Sequence, residues 1–141
     1  MKLKKVSGSR KINIKKQLNI LTQLAKIDGN YDQTEKSYIR EFGKKFNISR
    51  SELEEIERNP EYLSEIKAFT RDEKVELLYN AIYLAKVDKR ILPNEIVFCQ
   101  EIASKLGFKR SVIDAILPLV SRQPLELVNY AAIRRKISPF F

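Results

Sequence analysis

Hydrophobic residues recur along the chain at the three- and four-residue spacing of amphipathic helices, and no stretch alternates with the period of two that a strand requires. The predicted apolar faces are Ile14, Leu18, Leu21 and Ala25; Tyr38, Ile39, Phe42, Gly43 and Phe46; Val75, Leu78, Ala81, Ile82 and Ala85; and Phe98, Cys99, Ile102, Ala103 and Leu106. Together with the capping signals they predict helices at 12–28, 33–46, 50–58, 61–68, 71–88, 93–106, 110–120 and 124–136. The pattern therefore predicts an all-α, single-domain helical bundle of about seven or eight helices.

Proline and serine mark several of the predicted helix starts. Pro60, Pro93 and Pro124 fall at or near the first helical position, where a missing N–H does no harm. Ser49 stands three residues before Glu52, the spacing of a capping box. These local signals place the helix boundaries without reference to the tertiary structure.

The chain matches itself without gaps at an offset of sixty residues. "LAKIDGNYDQTEKSYIREFGKKF" at 24–46 aligns with "LAKVDKRILPNEIVFCQEIASKL" at 84–106. Identical pairs include Leu24/Leu84, Ala25/Ala85, Lys26/Lys86, Asp28/Asp88 and Glu35/Glu95. An internal duplication is the simplest account, with pseudo-twofold halves at about 14–58 and 74–118.

A helix that ends in "LAKIDG", followed by a short loop and a helix that carries a glutamate, resembles the TerB-like family of tellurite-resistance proteins. A related domain occurs in a membrane-anchored DnaJ-type co-chaperone. The resemblance covers roughly 14–118. It implies an all-helical bundle with a pseudo-twofold repeat, a cytoplasmic stress-related role, and acidic residues that bind metal. The second copy departs from the family pattern, because Lys89 stands where the family has glycine.

Positive charge is concentrated near the N-terminus. Residues 1–16 contain seven Lys or Arg and no acid, whereas the rest of the chain has 20 basic and 18 acidic residues. We therefore divide the chain into a basic arm, 1–13, and a TerB-like helical domain, 14–141. Residues 1–16 are expected to contact phosphates of nucleic acid or an anionic membrane surface, or to act as a solubilising tail. No aromatic residue is interleaved with these lysines to stack on a base.

Composition excludes several functional classes. The chain has no histidine and one cysteine, Cys99, which falls on an apolar face. This disfavours zinc hydrolases and nucleophiles activated by histidine, and it predicts a protein that is not an enzyme. No apolar run reaches the roughly 18 residues of a membrane span, and the lone cysteine favours a reducing, cytoplasmic location.

Residues 28–35, "DGNYDQTE", resemble the second half of a calcium-binding EF-hand loop. With Asp28 at the fifth loop position, Asp32 and Glu35 occupy the ninth and twelfth, but Leu24 and Lys26 occupy the first and third, where oxygen ligands are required. A tight site of the EF-hand kind is therefore not expected. The alternative is purely structural: Gly29 ends one helix, while Asp32 and Glu35 cap the next.

Asp28 and Asp88 follow the ends of predicted helices, where the helix dipole disfavours a carboxylate. Hydrogen bonds to the next helix, an ion pair with Lys26 or Lys86, or a divalent cation shared with Glu35 or Glu95 would each offset that cost. The candidate metal ligands are Asp28, Asp32, Glu35, Asp88 and Glu95.

The sequence predicts a non-catalytic interaction or sensing module that binds a protein partner, with weak divalent cation binding at its acidic loops. The alternative is a protein that binds nucleic acid or an anionic surface through its basic termini, which include Arg134, Arg135 and Lys136. Full exposure of the Phe140 and Phe141 side chains to water would cost about 1–2 kcal/mol of free energy each. They are therefore expected to pack into a groove of this molecule or of a partner.

Overall fold

A computed structural model describes residues 8–27, 31, 33–58, 66, 69–86, 91–120 and 129–141. The helices are α1 (Gly8–Ala25), α2 (Gln33–Lys45), α3 (Arg50–Arg58), α4 (Arg71–Lys86), α5 (Pro93–Lys105), α6 (Val112–Ile116) and α7 (Tyr130–Ile137). Single 3-10 turns follow at Leu117–Leu119 and Ser138–Phe140. Every regular element in these ranges is helical, which confirms the predicted all-α class.

The chain divides into two compact units, Met1–Glu65 and Ile66–Phe141. In the first unit α1 packs on α2 and α3, which also contact each other. In the second unit α4 packs on α5 and α7, and α6 contacts both α5 and α7. Each unit is thus a small helical bundle, and each holds one of the two predicted repeat halves.

The core of each unit lies along its first helix. The predicted faces of α1 and α4 are buried, and so are residues on their other sides, among them Ile20 and Leu24 in α1 and Leu77 and Leu84 in α4. These two helices therefore bury more than the single face that the periodicity predicts. A helix that is buried on most sides carries apolar residues all round, so period alone understates its burial.

The predicted boundaries hold for α2, α3 and α5, whereas α1 begins four residues before the predicted start at 12. The predicted helix at 110–120 is shorter, because Pro118 lacks the N–H of an α-helical bond and the chain tightens to a 3-10 turn at Leu117–Leu119. Of the predicted helix at 61–68, only Ile66 is described, and 124–128 also lie outside the described residues.

Local hydrogen bonds explain where these helices begin. Ser49 and Glu52 form the predicted capping box, since the Glu52 N–H donates to Ser49 Oγ at 3.1 Å and the Ser49 N–H to Glu52 Oε1 at 3.3 Å. Thr70 and Glu73 repeat this arrangement before α4, with distances of 3.2 and 3.0 Å. The box at Thr70 was not predicted, although its spacing is present in the sequence.

Helices α2 and α5 end in the same way. Asn47 and Gly107 follow them with positive φ angles of 61° and 92°. In each case the next N–H donates to a carbonyl five residues back, from Ile48 to Gly43 at 3.0 Å and from Phe108 to Ala103 at 2.9 Å. This is the Schellman arrangement, which closes the last helical turn. Helix α5 begins and ends sixty residues after α2, at 93 against 33 and at 105 against 45. The duplication itself stays a prediction.

We expect Gly107→Ala to lower the free energy of unfolding by about 1 kcal/mol, because a Cβ disfavours the left-handed conformation. Asn47→Gly should raise it by a few tenths of a kcal/mol for the same reason. Urea denaturation followed by circular dichroism measures both changes. The control is Gly43→Ala inside α2, where the new Cβ would lie 3.4 Å from Leu18 Cδ1 and helix propensity favours alanine. If Gly107→Ala and Gly43→Ala lost the same amount of stability, the assignment of Gly107 to a left-handed helix end would be contradicted.

Candidate functional site

The structure describes two of the five predicted metal ligands. Glu35 and Glu95 are 3% and 4% exposed and occupy the third position of α2 and of α5. Asp28, Asp32 and Asp88 lie outside the described residues. Among the described residues no three acidic or cysteine side chains are grouped as a metal ion would require. The predicted cation site therefore depends on residues for which the structure gives no geometry.

Glu95 has a structural partner. Its Oε1 accepts a hydrogen bond of 2.9 Å from the N–H of Leu92, the residue that precedes α5. The leucine side chain has no acceptor, so the capping interaction runs one way only. Glu95 thus makes the hydrogen bond that the structural alternative predicts for Glu35, its counterpart at an offset of sixty.

Lys26 and Lys86 each bind the end of another helix. Lys26 Nζ donates to the carbonyl oxygen of Glu57, in the last turn of α3. Lys86 Nζ donates to the carbonyls of Leu117 at 3.2 Å and Val120 at 3.0 Å. A cation at carbonyls near the end of a helix also complements the helix dipole. Lys26 and Lys86 stand sixty residues apart, and so do two of their acceptors, Glu57 and Leu117. From the sequence alone these lysines are expected to pair with aspartates, not with the ends of other helices.

An open groove of about 390 Å³ lies in the first unit next to the acidic loop. The turn after α1, the loop residue Tyr31, α2 and α3 contribute to its lining, which consists of Lys26, Tyr31, Lys36, Glu54, Glu57 and Arg58. We call this feature the Tyr31 groove. It has space for a few side chains of a partner and remains open to solvent.

Tyr31 is the central side chain of the Tyr31 groove. The ammonium groups of Lys26 and Lys36 lie 5.5 and 5.1 Å from its ring centroid, within the range of cation–π attraction. Its hydroxyl lies 3.5 Å from Glu57 Oε1, which also accepts from Arg40 Nε at 3.4 Å. Burial raises the pKa of Tyr31 above its ordinary value, and the negative charge of Glu57 raises it further. The phenol therefore stays neutral at physiological pH, and its ring is a flat, uncharged part of the groove wall.

The acidic residues of α3 are matched by cations of the same unit. Glu57 pairs with Arg40, Glu54 with Arg50, and Glu55 with Arg58. Exposed pairs of this kind contribute little to stability, but they offset the negative charge of the helix. Glu61 and Glu65, which follow α3 along the chain, lie outside the described residues.

Part of the basic N-terminal segment is also engaged within the first unit. Arg10 lies over the ring of Phe46 at 4.8 Å, while Lys11 and Lys15 contact Glu52 at 3.3 and 3.1 Å. Lys2, Lys4 and Lys5 lie outside the described residues. The described part of the segment is helical from Gly8 onward and packs as the first turns of α1.

Glu52 should give a stability contribution that depends on pH. Its hydrogen bond with Lys15 and the Ser49 N–H lower its pKa from 4.5 to about 2. Because the folded pKa is depressed, the contribution is present above pH 4.5 and declines as the pH falls toward 2. We expect Glu52→Gln to lower the free energy of unfolding by about 1 kcal/mol or less at pH 7, since the group is partly exposed, and to have little effect near pH 2. The control is Glu54→Gln. If the loss of stability in Glu52→Gln were the same at every pH, the ionic origin of the Glu52 contribution would be contradicted.

Cys99 belongs to the core of the second unit, as its position on an apolar face predicts. It is 2% exposed, and burial raises the pKa of its thiol to about 12. The thiolate is therefore scarce at neutral pH, and the side chain acts as a small hydrophobe.

Searches of family models, curated proteins and solved structures found no match. The fold and the Tyr31 groove are therefore interpreted from their own geometry. Within the described ranges no helix combines the length and the apolar character needed to cross a bilayer.

Sequence reasoning missed the Tyr31 groove. Tyr31 occupies a loop position where an EF-hand needs no side-chain ligand, and Glu57 and Arg58 belong to a separate predicted helix at 50–58. The only signal was the aromatic residue inside a loop otherwise composed of polar and charged residues. Its significance depends on the two lysines that the fold brings to the ring.

Proposed function

We propose that this protein is a non-catalytic interaction module that binds a segment of a partner protein in the Tyr31 groove. The observation that carries the proposal is the position of the Tyr31 ring, near two ammonium groups in an open groove. Tyrosine offers a large rigid contact area at small entropic cost, which is why it is enriched at protein interfaces.

The charges of the groove indicate the chemistry of the partner. The two acids, Glu54 and Glu57, pair with arginines of the same unit. Lys26 is bound to a helix end, whereas the contact described for the Lys36 ammonium is the Tyr31 ring. A carboxylate near an apolar side chain would suit this arrangement, so we propose that the partner segment is acidic and partly apolar.

The TerB-like resemblance extends the proposal to a cytoplasmic, stress-related role with weak divalent cation binding. Its support is the sequence: Asp28 and Asp32 flank Tyr31 along the chain. A cation held by that loop would act next to the groove, which would couple ion binding to partner binding.

Affinity capture from the native cell tests the proposal with the full chain as bait, with and without added calcium. Lys36→Glu reverses the charge beside Tyr31, and Lys44→Glu makes the same change on the exposed last turn of the same helix. We expect captured partners to be lost with Lys36→Glu and retained with Lys44→Glu, provided that circular dichroism shows both variants folded. Identical sets of partners for the wild-type protein and both variants would reject the groove as the binding site.

A further inference from the structure

The second unit displays an aromatic ring among cations that are distant in sequence. We call this surface the Phe141 patch and define it by Arg71, Lys74, Phe108, Lys109 and Phe141. Its members come from the start of α4, from the segment after α5 and from the segment after α7. The two residues of α4 stand three positions apart, so they lie on one face of the helix.

Phe108 holds the exposed ring in place. The two ring centroids lie 4.0 Å apart with the planes tilted by 30°, and Phe108 is 4% exposed whereas Phe141 is 39% exposed. The N–H of Lys109 donates to the carbonyl of Phe140 at 2.6 Å, which ties this segment to the turn after α5. Part of the expected packing thus occurs within this molecule, because the Phe141 ring lies on Phe108, yet this ring stays partly accessible.

Two cations lie against the exposed ring. The Arg71 guanidinium carbon is 5.3 Å and the Lys74 ammonium 5.5 Å from the Phe141 centroid. The nearby acid, Asp72, pairs with Arg134 at 2.7 Å, so that its charge is matched. Lys109 and Arg110 are exposed in the adjoining segment. The surface is therefore positive around an aromatic centre.

We propose that the Phe141 patch binds single-stranded nucleic acid. Arg71 and Lys74 would contact phosphates, while an unpaired base would stack on the accessible Phe141 ring and the Arg71 guanidinium. Stacking on aromatic rings beside basic groups is the general mode of single-strand recognition, and the net charge of +9 favours a polyanion. An acidic peptide, which the same cations would attract, is an outcome that the test below distinguishes.

This site differs from the basic N-terminal segment that the sequence suggested for nucleic acid, and it is independent of the Tyr31 groove. No aromatic residue stands among the lysines of residues 1–16. The fold supplies one elsewhere, by bringing residues 71 and 141 together.

Fluorescence anisotropy of a labelled oligothymidine with the full chain, measured at several salt concentrations, tests the proposal. Removing two phosphate contacts in the double variant Arg71→Gln, Lys74→Gln should flatten the slope of log affinity against log salt by about 1.4, because each contact contributes about 0.7 for single strands. Phe141→Leu keeps an apolar contact for Phe108 but loses the flat ring. It should weaken binding at least about fivefold with little change of slope.

The matched control is Lys44→Gln, Lys45→Gln, which removes the same charge from exposed positions of the first unit. Equal effects of the two double variants would overturn the proposal, because binding would then follow net charge alone. Wild-type affinity in Phe141→Leu would overturn the stacking role. Binding of polyglutamate or of phosphatidylserine vesicles through the same residues, without binding of the oligonucleotide, would reject nucleic acid and assign the patch to another polyanion.

Discussion

Replacing Glu95 by alanine is expected to lower the free energy of unfolding by about 2 kcal/mol, because the N–H of Leu92 would lose its partner at a partly buried helix start. Glu95→Gln keeps an oxygen acceptor at the same place and should lose about 1 kcal/mol or less. Urea denaturation at neutral pH, followed by circular dichroism, measures both values.

The same pair of variants separates the capping role of Glu95 from its predicted role as a metal ligand. If Glu95 binds a metal ion, millimolar calcium should raise the free energy of unfolding of the wild-type protein, and Glu95→Gln should abolish this rise. If Glu95 only caps the helix, the stability of Glu95→Gln should stay close to that of the wild-type protein with and without calcium. Glu41→Ala, at an exposed position of α2, is the control for loss of a carboxylate. A loss in Glu95→Gln as large as in Glu95→Ala, with no effect of calcium, would contradict the hydrogen-bonding account.

Replacing Lys86 by methionine is also expected to lower the free energy of unfolding by about 2 kcal/mol. Methionine keeps most of the aliphatic stem but cannot donate to the carbonyls of Leu117 and Val120. Hydrogen bonds from a charged donor contribute about 1.5–3 kcal/mol. Both acceptors are backbone carbonyls that follow the end of α6. Lys26→Met removes the equivalent contact to Glu57 in the first unit and should lose a similar amount.

The control for both lysine variants is Lys105→Met, because Lys105 is exposed in the last turn of α5. Its effect should stay within about 0.5 kcal/mol of zero. A loss in Lys86→Met no larger than in Lys105→Met would show that water replaces the ammonium group at the carbonyls without loss.

Much of the fold could be predicted, because its determinants are local. The apolar spacing of Ile39 and Phe42 specifies one face of α2, and the spacing of Ser49 and Glu52 specifies the start of α3. The predicted helix at 110–120 is an exception, because Pro118 shortens it. The sequence already contained this signal, since a proline within a helical pattern ends α-helical bonding. The extra burial of α1 and α4 could not be predicted, because it depends on what packs around them.

The candidate sites were harder to predict for the same reason. The carboxylates retained at an offset of sixty were interpreted as possible metal ligands, and the one whose partner is described, Glu95, caps a helix. The identity of Lys26 and Lys86 was noticed, but their acceptors lie 31 residues or more along the chain. A retained residue indicates a constraint without naming the atom that imposes it.

The sequence by itself determined most of the helices that the structure describes, the capped start of α3 and the surplus of positive charge, because each depends on residues within about one helical turn of one another or on composition alone. Only the tertiary structure decided which side chains meet. Tyr31 joins Glu57 of α3, and Phe141 joins Phe108 and Arg71, through contacts between residues far apart in the chain. Such contacts are set by helix packing, and packing has no periodic signature in the sequence.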